Sequence, residues 1–524
     1  MIITPLGHTE FLVDIANDAG RNIRIMVDGW LSDFSVGDLM ERSVKVELDM
    51  ENIKTVDIIY VSHSHTDHLD PYTLLPIYRN ANPILLLPYT LAFVVPLIRE
   101  YIPEIHIEIL YPHQAFRYEG IGITGHMFPQ NTITNEDDVM MLSIENDREL
   151  LFAEIDTLPE EDDLDTQKQL FRILSKKPYE TVCYLASRNE LPGQLPVLDL
   201  PIKKRKAFRD EYIAGRKEEM YFSYQKGEYE DFANFPNMYE IPNLVRGFIG
   251  QGIVYPRRFS LDYARVQIFP LEEIASMESD IARECGYEFP QKALLPGRQY
   301  RVENANIETG RKECPIGELI IDREHGNLES TDPRLYAEAP LFPRENLDID
   351  GAKKRIFEVL NTRFLPYWSA SAVASLRSAL IKNHDGCYRI GLKVSVIPGL
   401  TRNLESITDS GFLPTQEGQE QWIIFEYSLA DVAFREVPYS SELQVDEDYW
   451  LLDIVDFLDG RQELYSNFWH RLDPKKIYRL WMCLGANFCN HDLLLNKYRL
   501  HFERAKSGLT VKSFVDEVYN NLSR

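Results

Sequence analysis

The sequence predicts an α/β protein whose helices pack on the faces of β-sheets. Three observations carry that prediction. Short, apolar, β-branched runs alternate with stretches of helical length through the first half of the chain. The boundaries of these runs carry turn and cap residues. With 524 residues, the chain is also long enough for two or three domains, each with a sizeable core.

In order along the chain, Thr9 to Ile15 and Ile23 to Asp28 read as the strands of a hairpin, joined by the turn cluster Asn17 to Asn22. Asp57 to Ser62 is a continuous apolar run bounded by polar residues, and so a buried strand. Asp70 and Pro71 then open a helix as N-cap and first helical residue. A strand at Pro83 to Pro88, a helix at Leu91 to Tyr101 and a strand at His106 to Leu110 continue the alternation. His106 and His113 read as structural. Gly120 to Met127 is a strand containing His126, and a polar loop from Pro129 to Asp138 follows. Strands at Val139 to Ile144 and Leu150 to Asp156 come next, and Leu244 to Tyr255 reads as a later strand and loop.

From about Leu261 the texture changes, and residues 261–345 read as a connecting region rich in Pro, Gly and charge. Residues 346–524 read as a C-terminal α/β part. It has helices at Asp348 to Asn361, Ser369 to Lys382 and Trp450 to Leu458, strands at Tyr388 to Ser395 and Trp422 to Tyr427, and an aromatic stretch through Tyr465 and Trp469. Closing a cleft or forming a homodimer are the roles expected of it, with ordinary core packing favoured for its aromatics.

The chemistry concentrates at Val61-Ser62-His63-Ser64-His65-Thr66-Asp67-His68, directly after a buried strand. On an extended segment His63 and His65 point the same way, because side chains alternate with a period of two, so both imidazoles can hold one metal ion. Asp67 and His68 follow a change of direction and can face a second ion. Imidazole with carboxylate suits zinc first, with iron and manganese as alternatives.

This H-x-H-x-D-H motif resembles the signature of the metallo-β-lactamase superfamily. The stretches Leu6-Gly7-His8-Thr9-Glu10-Phe11-Leu12-Val13 and Met26-Val27-Asp28-Gly29-Trp30-Leu31 resemble one branch of it. That branch holds ascorbate-6-phosphate lactonase, N-acylphosphatidylethanolamine phospholipase D and the hydrolase-like part of CMP-N-acetylneuraminate hydroxylase. The resemblance covers residues 1–260. It implies an αββα sandwich followed by a C-terminal α/β domain that faintly resembles a sterol carrier. It implies His126 as a further ligand of the first ion, Asp156 as the bridge between two ions, and Asp28 as a support for the loop rather than a ligand. His8 is not expected to be a ligand.

Two departures from the family pattern matter. Asp156 follows Ile155 where a glycine is usual, and no histidine occurs between His126 and His325 to complete the second site. Gln251 stands roughly where that histidine would fall, so one or two ions remain open, with His325 or substrate as possible completing donors.

The resemblance implies a metal-dependent hydrolase acting through a metal-activated water on a small anionic ester, lactone, amide or phosphodiester, with Asp67 as general base. The alternative is an iron-dependent oxidative enzyme related to the sialic-acid hydroxylase. The iron-sulfur domain of that enzyme is not expected here, since no C-x-H followed by C-x-x-H occurs.

A net charge of −26 disfavours nucleic acid as a partner, because a polyanion needs cations to neutralise its phosphates. The one basic cluster, Lys203 to Lys206 with Arg209, reads as a solvated helix face, with contact to a small anion as the alternative. The six cysteines lack C-x-x-C spacing and read as reduced thiols. No basic leader segment precedes the first strand and no apolar run reaches membrane-spanning length, so a cytoplasmic protein is expected.

Overall fold

The computed structural model describes residues 1–33, 35, 41–42, 44–128, 139–156, 164–188, 202–234, 236–250, 253–254, 269–321, 348–366, 387–394, 421–428, 433–440, 442–461, 479–485 and 490–513. Two large sheets dominate. The first has eight strands in the spatial order Asn306–Thr309, Tyr300–Glu303, Ile2–Gly7, Glu10–Ala16, Asn22–Val27, Ile58–Tyr60, Ile84–Pro88 and Ile107–Leu110. The second has seven, in the order Gln291–Ala293, Leu244–Ile249, Thr181–Ser187, Glu149–Ala153, Met141–Glu145, Ile121–His126 and Ala115–Tyr118.

Side-chain alternation along these strands builds the layers. Val13, Ile25, Ile58 and Leu86 of the first sheet meet Ile123, Leu142, Leu151 and Leu185 of the second in one buried core. Leu12, Met26, Ile59 and Leu85 face the other way, onto helices Pro71–Asn80 and Val95–Tyr101. Phe152, Tyr184 and Phe248 face away from the core on the second sheet, where Leu170, Leu174, Ile274 and Ile281 of helices Leu164–Leu174 and Leu271–Glu284 cover them. The layering is therefore helix, sheet, sheet, helix.

Asp70 caps its helix as expected, its carboxylate accepting from the Tyr72 amide at 2.9 Å. The next helix differs from expectation at its start, where Tyr89–Val94 is a 3-10 turn before the α-helix begins at Val95 with Pro96 in its first turn. The stretch read as a connector supplies strands to both large sheets, and its strand Gly317–Ile321 pairs with Val44–Leu48.

Further along, a four-stranded sheet in the order Ala433–Val437, Gln421–Ser428, Cys387–Val394 and Glu447–Trp450 packs with helices Ile349–Val359, Leu451–Leu458 and Arg479–Gly485 around its own core. The last described helix, His491–Lys506, buries Tyr498 and Phe502 against the outer face of the first sheet. The expected helix at 369–382 and aromatic stretch at 465–469, like Gln251 and His325, lie outside the described residues. Among the described residues, no helix is long and apolar enough to cross a membrane.

Candidate metal centre

The loop carrying the histidines leaves strand Ile58–Tyr60 and is fixed from behind by Asp28, which ends the neighbouring strand. Asp28 is fully buried, and its carboxylate accepts from the Ser62 amide at 2.8 Å and the Ser62 hydroxyl at 3.1 Å. Its Oδ2 also stands 2.9 Å from Nδ1 of His68. That contact fixes the His68 tautomer and turns Nε2 outward. Ser62 Oγ likewise lies 2.9 Å from Nδ1 of His63. Imidazoles held at one nitrogen by a carboxylate or hydroxyl present the other as a ready ligand. Asp28 thus occupies the supporting position expected of it.

The His63 and His65 rings lie with centroids 4.3 Å apart and form, with Asp156, one group able to hold a cation. A second such group comprises His8, His68 and Asp156. Asp156 Oδ2 stands 3.8 Å from His63 Nε2 and 3.4 Å from His68 Nε2, so a single carboxylate serves both groups. Asp67 flanks the second, its Oδ2 being 3.4 Å from His8 Nε2 and 4.0 Å from His68 Nε2.

His8, not expected to be a ligand, therefore stands in one of the two groups that could hold a cation. It sits at the irregular turn between the first two strands, where the pairing register shifts between Pro5 and Gly7. That irregularity aims its ring across at His68, with centroids 5.3 Å apart.

Three non-glycine residues at this centre have a left-handed backbone: His8 with φ 47°, Asp28 with φ 57° and Ile155 with φ 67°. Such conformations cost roughly 1–3 kcal/mol each and persist only where the surroundings impose them. Ile155 adopts the conformation that a glycine would accept freely, while its side chain fills the inter-sheet core. The missing small residue is thus replaced by strain that still delivers Asp156.

His126 is not brought to the centre and belongs to neither group. Ile121 and Ile123 face the inter-sheet core, so parity puts Gly125 inside and His126 on the opposite face. There its Nε2 lies 2.8 Å from Ser143 Oγ, and its ring packs against Phe152 at 5.8 Å. Burial lowers its pKa to about 3, helped by His113 and Lys176, so it is a neutral, packed histidine.

The electrostatics suit a cation. Burial, with His68 and His65 nearby, holds His63 well below the ordinary imidazole range, leaving it neutral. Burial also works against charge on His68, but the Asp28 and Asp67 carboxylates outweigh it and hold that ring well above its usual value. Asp67 and Asp156 are both held below the ordinary carboxylate range in spite of burial, principally by His68. The centre thus favours positive charge next to ionised carboxylates. The buried Nε2 atom of His63 has no hydrogen-bond partner among the described residues and stands 3.8 Å from Asp156, which His68 Nε2 also faces. Buried polar atoms left this way call for a partner, and a divalent ion bound by nitrogen and oxygen donors supplies one.

Behind the second sheet, Arg188 and Arg246 form a buried network with Glu154, Glu228 and Glu278, which nothing in the local sequence pattern announced.

No known family profile matches the chain. A protein of Mycolicibacterium smegmatis, provisionally described as a Rieske 2Fe-2S iron-sulfur protein, is 33% identical over 88 residues, covering 17% of this chain and 16% of that relative. Solved structures resembling the chain include the metallo-beta-lactamase fold protein YhfI of Bacillus subtilis, at 10% identity and a TM-score of 0.24 over 36% of this chain and 72% of that one. They also include CmlA, a diiron beta-hydroxylase from Streptomyces venezuelae, at 12% identity and a TM-score of 0.32 over 56% and 52%. Zn(2+)-bound PqqB from Methylobacterium extorquens matches at 9% identity and a TM-score of 0.29 over 56% and 87%.

Proposed function

We propose that this chain is a metal-dependent hydrolase of the metallo-β-lactamase superfamily, acting on a small anionic ester, lactone, amide or phosphodiester. The observation that supports it is the convergence of two histidine groups on one carboxylate, Asp156. His63 and His65 would hold one ion and His68 with His8 a second, with Asp156 between them. The chemistry a divalent ion would supply there is Lewis-acid activation, of a water towards a pKa of about 7 and of a carbonyl or phosphoryl oxygen. Asp67 remains ionised beside His8 and His68, so its carboxylate can accept a proton from an attacking water. Burial of His63 and His68 keeps bulk water from competing for these donors.

The second reading is an iron-dependent oxidative enzyme. The 88-residue match to the mycobacterial protein favours it, and a donor set of imidazole and carboxylate without cysteine accommodates iron as well as zinc.

Plasma mass spectrometry of chain purified without chelators or a histidine tag separates the readings. Zinc or manganese that is lost in His63→Ala, with turnover of lactones, thioesters or phosphodiesters, supports hydrolysis. Iron with dioxygen and reductant consumption moves the assignment to oxidation, and absence of any metal refutes both.

A further inference from the structure

Tyr498 lies 434 residues beyond Ser64, yet its hydroxyl donates to the Ser64 carbonyl, on the peptide that joins the two halves of His63-Ser64-His65. The tyrosine is fully buried, and its helix, His491–Lys506, is tied along the same face at several further points. Tyr72 Oη lies 3.1 Å from His501 Nδ1 at the start of the helix that follows the histidine loop. Phe93 stacks on His491 with centroids 4.0 Å apart, and Tyr101 stacks on Phe502 at 5.0 Å. Arg499 bridges to Glu100 at 2.8 Å.

The other side of this helix meets the C-terminal sheet unit. A Cβ on Gly460 would stand only 2.4 Å from the Lys497 backbone, so the end of helix Leu451–Leu458 is seated directly on it. Arg363, in the helical turn that follows helix Ile349–Val359, reaches Asn490 at 2.7 Å and Asp492 at 2.9 Å.

From this arrangement we infer that helix His491–Lys506 is a strut between the C-terminal unit and the metal loop, and that Tyr498 is a positioning residue that holds the His63–His65 peptide in ligating geometry. The inference rests on the metal-centre reading and deepens it: metal affinity is set in part by a hydroxyl that acts on the backbone of the loop. The hydroxyl acts on the Ser64 carbonyl, whereas Asp28 and Ser62 act on the Ser62 amide and on the His68 and His63 rings, so the loop is held at both ends of this stretch. Removing one hold lets the two imidazoles sample orientations in which only one faces the ion.

The test uses full-length chain stripped of metal and titrated with Co(II) alone, with affinity and ligand-field absorption as readouts. Tyr498→Phe keeps the ring and its packing. It is expected to bind Co(II) about 10-fold more weakly, in the range found when partners behind a ligand are removed, with altered absorption bands. Hydrogen exchange of metal-free protein should show faster exchange at amides 62–69 and unchanged protection in strand Glu149–Ala153. Arg499→Gln, which breaks the surface ion pair with Glu100 and the contact to Tyr101 but leaves Tyr498 in place, should retain wild-type affinity.

If Tyr498→Phe binds Co(II) like wild type, or if Arg499→Gln weakens binding equally, the positioning role is overturned while the metal reading stands. If wild type takes up no Co(II), both fall. Unfolding of Tyr498→Phe, seen as lost protection in Glu149–Ala153, would also overturn the role by assigning the hydroxyl to global stability.

Discussion

Replacing Asp28 by asparagine should cost metal affinity without unfolding the protein. Asp28 accepts from three donors: the Ser62 amide at 2.8 Å, the Ser62 hydroxyl at 3.1 Å and His68 Nδ1 at 2.9 Å. An asparagine of the same shape has one accepting oxygen and one donating nitrogen. With its oxygen on the Ser62 amide, its NH2 meets Nδ1–H of His68, and the ring must shift its proton to Nε2 to escape a donor–donor clash. That proton then occupies the lone pair facing Asp156, 3.4 Å away, so His68 no longer ligates. With the amide flipped, the Ser62 N–H is left unpaired in a fully buried site. Either way one hold on the centre is lost. Supports of this kind are worth about 10–100-fold in metal affinity, or roughly 1.4–2.7 kcal/mol at 1.36 kcal/mol per decade. The melting temperature of the metal-free protein should fall by only a few degrees, because one buried hydrogen bond is worth about 1–3 kcal/mol. Competition titration with a chromogenic zinc chelator measures the affinity. Wild-type affinity in Asp28→Asn would refute the claim that Asp28 sets the His68 tautomer.

Further outcomes follow from the same geometry. His8→Ala should reduce bound metal from about two equivalents to about one, whereas His126→Ala should leave the content unchanged, both read by plasma mass spectrometry. Glu447 is fully buried, and burial pushes its carboxyl up to about 7 from an ordinary 4.5. The fold therefore holds a proton that the unfolded chain releases. The stability this contributes, up to about 3 kcal/mol, is complete below about pH 4.5 and is lost as the pH rises through about 7. Glu447→Gln should accordingly flatten the decline in urea midpoint between pH 5 and 8, and an unchanged slope would contradict it. Ile155→Gly should relieve a left-handed isoleucine but empty a fully buried core position. The cavity, about 2–5 kcal/mol, exceeds the strain relieved, about 1–3 kcal/mol, so the melting temperature should fall while metal content is kept.

What could be read in the sequence was local. The Asp70 cap, the first hairpin and the buried run before the histidines each depend on neighbours within a few residues, and the structure places all three close to where they were expected. Strand Ile2–Gly7 was missed because Pro5 argues against a strand interior; its pairing with Tyr300–Glu303 ends at Ile3, so no rung on that side needs the absent N–H. The place of His126 follows from strand parity. Ile121 and Ile123 already marked the odd-numbered positions of that strand as inward, which excludes 126 from that face. His8 could not have been found this way. Its aim depends on the register shift after Pro5 and on a long-range approach to His68, neither of which has a local pattern.

The placement of the donors also explains why the centre belongs at this seam. Asp28 follows strand Asn22–Val27, and the histidine loop follows Ile58–Tyr60; both lie at carboxyl ends of parallel strands of the first sheet. Asp156 lies just beyond the carboxyl end of Glu149–Ala153, which runs parallel to Thr181–Ser187 in the second sheet. Strand ends of this kind converge on a crevice in which backbone no longer pairs with backbone, the position where layered α/β proteins bind ligands. The histidines reach this crevice from one sheet and the shared carboxylate from the other. The distances from Asp156 to His63 and His68 therefore depend on how the two sheets pack, through core residues such as Ile58 and Leu151. A substitution in that core far from any ligand should act on the second sheet's carboxylate first, and so on both histidine groups together rather than on one.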